Sequence, residues 1–399
     1  MEEQALSDLK VIDLTHFTAG PYCTKLLADF GAEVIKVERP GQGDGARTLG
    51  PFFGDDPHPE KSGLFLYLNT NKKSITLNLK TETGGKILKK LVRDADILVE
   101  NFEPRVMPSL GLSYEVLKEV NPRLVVTSIS NFGQNGPYRD YKATSLTITA
   151  MGGAMAITGD EHRPLKPGGS QAEYMAGLVG FQATVIAILW RWQTGMGQHV
   201  DLSIMECISS NLEGANSEYA YLGVIRRRMF NRFTYGHPVG IYPCKDGYIV
   251  VTPGLGGMSA LALLLERPEL EEHELFKDRR ARQERWQEFD ELFLHPYFRE
   301  HTKKEIFHRA QALRMPFAYI QSVDELLEDE QLTARGFFAT AQHPVVGEVT
   351  YPGPPFRMGE TPWRSGRAPL LGEYNGEIYC QRLGYTKEEL VKLREMDVI

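Results

Sequence analysis

Glu173 is the residue best placed by its neighbours to do chemistry. A glycine-rich stretch, PLKPGGSQAEY, delivers this carboxylate to the first turn of a long apolar helix. A helix N-terminus favours an anion there. The same position also suits a residue that only caps the helix electrostatically. Other candidates stand at the ends of expected strands. Arg39 closes AEVIKVER and reads equally as an anion contact or a surface ion-pair residue. Leu77–Lys80 end the strand SITLNLK, where Lys80 suits a phosphate or plain solvent. Asn101 and Phe102 follow ILVE. Asn101 offers a donor and an acceptor, and Phe102 a flat face for an adenine; their structural readings are a turn and a core aromatic.

These residues need a common edge, and the order of elements supplies one. KVIDLT, AEVIKVE, SITLNL, ILVENF and RLVVTSIS read as strands. PYCTKLLADFG and TETGGKILKKLVRDAD read as helices between them. Alternating strand and helix patterns with near-continuous apolar strands specify a parallel sheet covered on both faces. Right-handed crossovers place the carboxyl ends of its strands on one edge, where open α/β sheets bind ligands. A loop with Gly20 and Pro21 after the first strand adds a helix N-terminus whose N–H groups can face an anion.

The middle of the chain differs. A helix from Glu173 to about Thr194 is followed by the strand QHVDLS. GIYPCKDGYIVVTP is expected to form a hairpin turning at Asp246-Gly247. Residues 226–335 are assigned to a smaller domain, between 1–225 and a return to the large domain over 336–399. Thr386 and Glu389 form a capping-box pattern on the last helix.

Composition narrows the partners. The formal charge of −7 over 399 residues argues against nucleic acid and anionic membrane surfaces. Cys23, Cys207, Cys244 and Cys380 form no C-x-x-C pair, so neither a disulfide framework nor a zinc site is expected. Free thiols and an acidic amino-terminal stretch without an apolar signal core point to the cytoplasm. The apolar run Ala183–Trp192 is too short to span a bilayer. No metal motif, P-loop or G-x-S-x-G elbow is present.

Four blocks in this order resemble the family III CoA-transferases: THFTAGPYCTKLLADFGAEVIKVERPGQGD, LNTNKKSITLNLKTETG, ILVENFEPRVMPSLGL, and the segment from PLKPGGSQAEY to TGMGQHVDLS. The tail RAPLLGEYN is similar to the family's RAPLLGEHT, with Tyr374 in place of His. The resemblance implies a large Rossmann-like α/β domain built from both chain ends, a smaller inserted α+β domain, and an interlocked homodimer. It implies an acyl-CoA donor and a free carboxylic acid acceptor, with a CoA thioester as substrate and no permanently bound cofactor. The family's CoA contacts correspond to Thr18, Ala19, Arg39, Leu77, Asn78, Lys80, Asn101, Phe102 and Lys142, and its nucleophilic Asp to Glu173. Ser109 stands where formyl-CoA transferase has an Arg near the CoA, and no GGGGQ lid motif is found. The extra methylene of Glu keeps other readings open. These are an acyl-CoA isomerase, racemase or hydratase on the same fold, or a non-catalytic CoA-ester binding protein. Racemase relatives carry a His after the glycine–proline turn, and GPYRDYKATSL here has none.

Overall fold

The computed structural model describes residues 4–230, 232, 236–364 and 366–399. The chain divides into two compact units. One comprises residues 1–155, 166–224 and 334–399, and the other residues 156–165 and 225–333. The short stretch 156–165 thus groups with the second unit, although it lies inside the span 1–225.

The first unit is organised by a six-stranded sheet in the order β3-β2-β1-β4-β5-β6, with every pairing parallel. The strands are β1 (Lys10–Asp13), β2 (Glu33–Glu38), β3 (Lys73–Thr76), β4 (Ile97–Glu100), β5 (Val125–Ser130) and β6 (His199–Ser203). β4 (ILVE) and β5 (VVTSIS) are buried along their whole length, and the polar Thr127 and Ser128 of β5 are hydrogen-bonded to Thr184 and His199. The sheet changes direction between β1 and β4, the crevice where such sheets take ligands.

Three helices set the geometry of that crevice. α1 (Ala19–Asp29) follows β1, and α2 (Glu82–Arg93) follows β3 with Thr81 as its N-cap. α3 (Gln171–Thr194) has its buried residues at helical spacing: Ala172, Ala176, Gly180, Thr184, Ala187, Ile188 and Arg191. Thr184 meets Thr127 of β5 at 2.7 Å, and Arg191 pairs with Asp96 at 2.7 Å. α3 is long and apolar enough to cross a membrane by length and composition, which the run Ala183–Trp192 alone is not. Here its small-residue stripe is spent on α1 and the sheet.

The second unit has its own core, drawn around Phe289, Phe293, Phe298 and Leu261. Its hairpin pairs β7 (Gly240–Cys244) with β8 (Gly247–Val251), and β9 (Ala318–Tyr319) adds a third strand. Cys244 lies opposite Gly247, so the loop residues are Lys245 and Asp246, one position earlier than expected. The tail of the chain returns to the first unit with a hairpin, β10 (Phe338–His343) and β11 (Gly347–Pro352), and a final helix, α4 (Lys387–Glu395). Thr386 and Glu389 form the expected capping box on α4.

Candidate active site

A groove along the carboxyl edge of the sheet joins three cavities. The first, about 910 Å³, is lined by Thr18, Ala19, Asn101, Phe102, Ser145 and Glu173, among others. The second, about 550 Å³, shares Phe17, Asn101 and Phe102 with it and adds Arg39 and the Gly41–Gly45 loop. The third, about 570 Å³, shares His16, Arg39 and Phe102 with the second and adds Leu77, Asn78 and Lys80. All three lie within the first unit. Glu173 therefore stands at one end and Arg39 and Lys80 toward the other, on one continuous path.

Glu173 sits in the first turn of α3, partly buried. Ser145 Oγ donates to Glu173 Oε2 at 3.1 Å, leaving the other oxygen open to the cavity. The next residue, Tyr174, packs edge-on against Tyr22 at 4.9 Å, which locks the start of α3 onto α1. One turn on, Gly177 lets the two helices touch: a Cβ there would stand 2.6 Å from the Ala19 carbonyl oxygen. Glu173 is thus held beside the N-terminus of α1, whose first N–H groups have no intrahelical acceptor.

The loop between β1 and α1 is fixed from below by buried charge. Lys36 Nζ pairs with Asp44 Oδ2 at 2.8 Å and donates to the Thr15 carbonyl at 2.9 Å. Asp44 Oδ1 accepts from the Phe17 N–H at 2.9 Å. Asp13 accepts from Thr15 and Thr24, and Lys72 Nζ lies 3.0 Å from its Oδ2. Burial opposes the charge on Asp13, Lys36 and Asp44. Their mutual attraction wins, so both carboxyls fall below the usual range and Lys36 rises. For Lys72 burial prevails over Asp13, and its ammonium is pushed down to about 8. Removing one member would strand a buried charge, at a cost of about 3–5 kcal/mol.

Expected site residues take different parts in this arrangement. Arg39 and Lys80 are exposed, and among the described residues neither side chain has an ion-pair partner. They are cations available to an anion. Leu77 is buried in the wall, and Phe102 faces all three cavities. Asn101, expected to offer its amide to a ligand, spends one donor and one acceptor on the backbone of His16 at 2.8 Å each. It clamps the β1 loop to β4 across the switch point. Lys142 lines none of the three cavities: Glu103 draws its ammonium into an exposed ion pair. Ser109 lines the third cavity and donates to the Val106 carbonyl at 2.8 Å, so no positive charge stands there.

Other residues of the site were not expected. His16 lines the second and third cavities and packs against Phe102 at 5.7 Å. Arg105 and Arg139 line the first cavity and share one carboxylate, Asp140. Arg105 above all, then Arg139, holds the Asp140 carboxyl down to about 2. The same cavity is also lined by Glu103, which pairs with Lys142. Glu100, directly before Asn101, is buried, and that burial raises its carboxyl to about 7. It accepts the Phe102 N–H at 2.8 Å. Arg105 lies in the ILVENFEPRVMPSLGL block and Arg139 in GPYRDYKATSL, and nothing in either block singles the two out as a pair.

Comparisons with known proteins place the chain in a family. The model for CoA-transferase family III matches residues 6–375. A succinyl-CoA–D-citramalate CoA-transferase of Chloroflexus aurantiacus is 34% identical over 99% of this chain and 98% of its own. A formyl-CoA:oxalate CoA-transferase of Streptomyces coelicolor is 35% identical over the full length of both. The succinyl-CoA:glutarate CoA-transferase of Homo sapiens is 31% identical over 99% of this chain and 90% of its own. A crystal structure of a CAIB/BAIF family protein from Brucella suis superimposes with a TM-score of 0.87 at 31% identity, covering 95% of this chain and 100% of that one. The chain belongs to CoA-transferase family III and is an enzyme that transfers CoA.

Proposed function

We propose that the protein moves CoA between dicarboxylic acids, with Glu173 as the group that carries it. The observation behind this reading is the groove itself. It runs from two unpaired cations, Arg39 and Lys80, to a carboxylate in a cavity that two guanidiniums also line. The diphosphate and 3′-phosphate of a CoA ester suit the first end, and its acyl group the second. Thr18, Ala19, Leu77, Asn78 and Phe102 complete the contacts, and Asn101 acts through His16.

The chemistry follows in balanced steps. A Glu173 oxygen attacks the acyl carbonyl; the C–S bond breaks and CoA leaves as thiolate, giving a mixed anhydride. The thiolate attacks the glutamyl carbonyl of that anhydride. The donor acid leaves as carboxylate, and CoA is now a thioester of Glu173. The acceptor carboxylate attacks this thioester, and the released thiolate attacks the new acyl carbonyl, freeing Glu173 again. N–H groups of the Gly168-Gly169 loop and of the α1 N-terminus are suited to the oxyanions. Lys166 holds the loop by donating to the carbonyls of Pro167 and Gly169.

Dicarboxylates are proposed because Arg105 and Arg139 share the cavity with Glu173 and suit a second carboxylate. Succinyl, citramalate, oxalate and glutarate, all dicarboxylic, appear in the names of the relatives above. Succinyl-CoA incubated with di- and monocarboxylic acceptors, read by mass spectrometry, tests the proposal. New CoA esters of dicarboxylates support it; turnover of monocarboxylates alone overturns the substrate class, and no transfer overturns the function.

A second copy of this chain is proposed to cover the outer face of α3. Ile186, Leu189 and Trp190 there are exposed and share one stripe at i, i+3 and i+4. A homodimer would bury them. Four free cysteines support a reducing, cytoplasmic setting.

A further inference from the structure

The third cavity, about 570 Å³, has apolar walls and two unpaired cations, as an adenine with its phosphates requires. A purine also presents a polar edge. The 6-amino group of adenine donates, and burying it without an acceptor is costly. Two carboxylates line this cavity, Glu38 and Asp397. Glu38 is fully used. Its Oε2 accepts from Arg47 Nε and the Asp44 N–H, and its Oε1 from Arg47 Nη2 and Ser74 Oγ. Asp397 is exposed, and among the described residues its carboxylate has no ion-pair partner. Asn78 Oδ1 already accepts the Lys80 N–H at 3.1 Å. Gln42 lines the second cavity as well as the third. Asp397 lines the third cavity alone.

Asp397 is also held in place. The Asn78 N–H donates to the Val398 carbonyl at 2.7 Å, and Asn78 Nδ2 to the Asp397 carbonyl at 3.1 Å. Val398 is buried in the core beneath. Asp397 itself takes a left-handed conformation, φ +52°, which Asp tolerates better than most residues and which aims it off the end of α4. The turn after the last helix is thus bonded to the strand end that carries Leu77 and Lys80, more than 300 residues away in the chain.

We infer that Asp397 reads the 6-amino group of the adenine and so sets the base specificity of the CoA site. A carboxylate accepts from an amino group and repels the carbonyl oxygen that hypoxanthine carries at the same position, so it attracts one base and rejects the other. The inference rests on the CoA-site reading of the groove.

Calorimetric titration of the whole protein with adenosine 3′,5′-bisphosphate and inosine 3′,5′-bisphosphate tests it. The wild type is expected to prefer the adenine compound by about tenfold or more, the worth of a hydrogen bond to a charged group. Asp397→Gly keeps the left-handed backbone without strain and removes the carboxylate; it should bring the two ligands to near parity by weakening the adenine compound. Asp397→Asn, whose amide can accept or donate, should narrow the preference while keeping adenine affinity. An unchanged preference in Asp397→Gly overturns the inference. Equal tightening of both ligands in both variants also overturns it, because Asp397 would then act only by repelling phosphate. A wild type that binds neither compound overturns the CoA-site reading as well, and a melting curve unchanged in Asp397→Gly excludes misfolding as the cause.

Discussion

Gly177 and the Ala19 carbonyl are so close that a single added carbon would stand 2.6 Å from the oxygen. This contact joins the helix that carries Glu173 to the helix whose N-terminus faces the same cavity. Gly177→Ala should therefore push α3 outward near its start. Overpacking of this kind costs about 1–3 kcal/mol. A displacement of roughly 1 Å at the nucleophile should lower kcat by about 10²-fold. Thermal melts and saturation kinetics on the same variant separate the two effects.

Arg39 lies in the second and third cavities, away from Glu173. Its loss removes a contact that substrate and transition state share. Arg39→Ala should raise KM for the CoA ester by about tenfold, as for a charged hydrogen bond, with kcat little changed. A collapsed kcat at unchanged KM would put Arg39 at the reacting centre.

Glu100 gives a stability effect with a definite sign. Its carboxyl is raised to about 7 in the folded protein, chiefly by burial and further by Asp201. A carboxyl raised above its unfolded value of about 4.3 binds more protons when folded, so stability falls as pH climbs from about 4.5 to about 7. At pH 8 the cost is fully present and of the order of 3 kcal/mol. Glu100→Gln removes the charge, and its side-chain oxygen can still accept the Phe102 N–H. It should be more stable than wild type at pH 8 and lose that advantage by pH 4.5. Denaturant unfolding at both pH values measures this; an equal effect at both would contradict it.

The exposed apolar face of α3 makes a claim about assembly. Sedimentation of the wild type should give a dimer that persists on dilution. Replacing Ile186 and Trp190 with Glu should break it or leave the protein insoluble. A wild type that stays monomeric at all concentrations would refute the proposed second copy.

Much of the sheet was legible because short β-branched and apolar runs, such as ILV in β4 and VV in β5, alternate with helical patterns and are buried on both faces. Glu173 was legible from the glycine-rich stretch and the apolar run behind it. Asn101 was found, yet its partner was not, because His16 lies 85 residues away and is reached through its backbone. Lys36, Asp44 and Lys72 carry no motif of their own; only the fold shows that Lys36 pairs with Asp44 and Lys72 with Asp13 beneath the β1 loop. Lys142 was expected at the ligand, and its ammonium pairs with Glu103, which lines the first cavity. Asp397 could not be read at all, since its meaning depends on a contact with Asn78 across nearly the whole chain.

The central claim is that Glu173 becomes covalently linked to CoA. Wild-type protein mixed with succinyl-CoA and quenched in acid should gain the mass of a CoA thioester. Peptide mapping should place that mass on the segment containing Glu173, and hydroxylamine should release it. Glu173→Gln should gain no such mass while still binding CoA, because a neutral amide cannot form the anhydride. A CoA adduct on another residue, or full transfer activity in Glu173→Gln, would contradict the account.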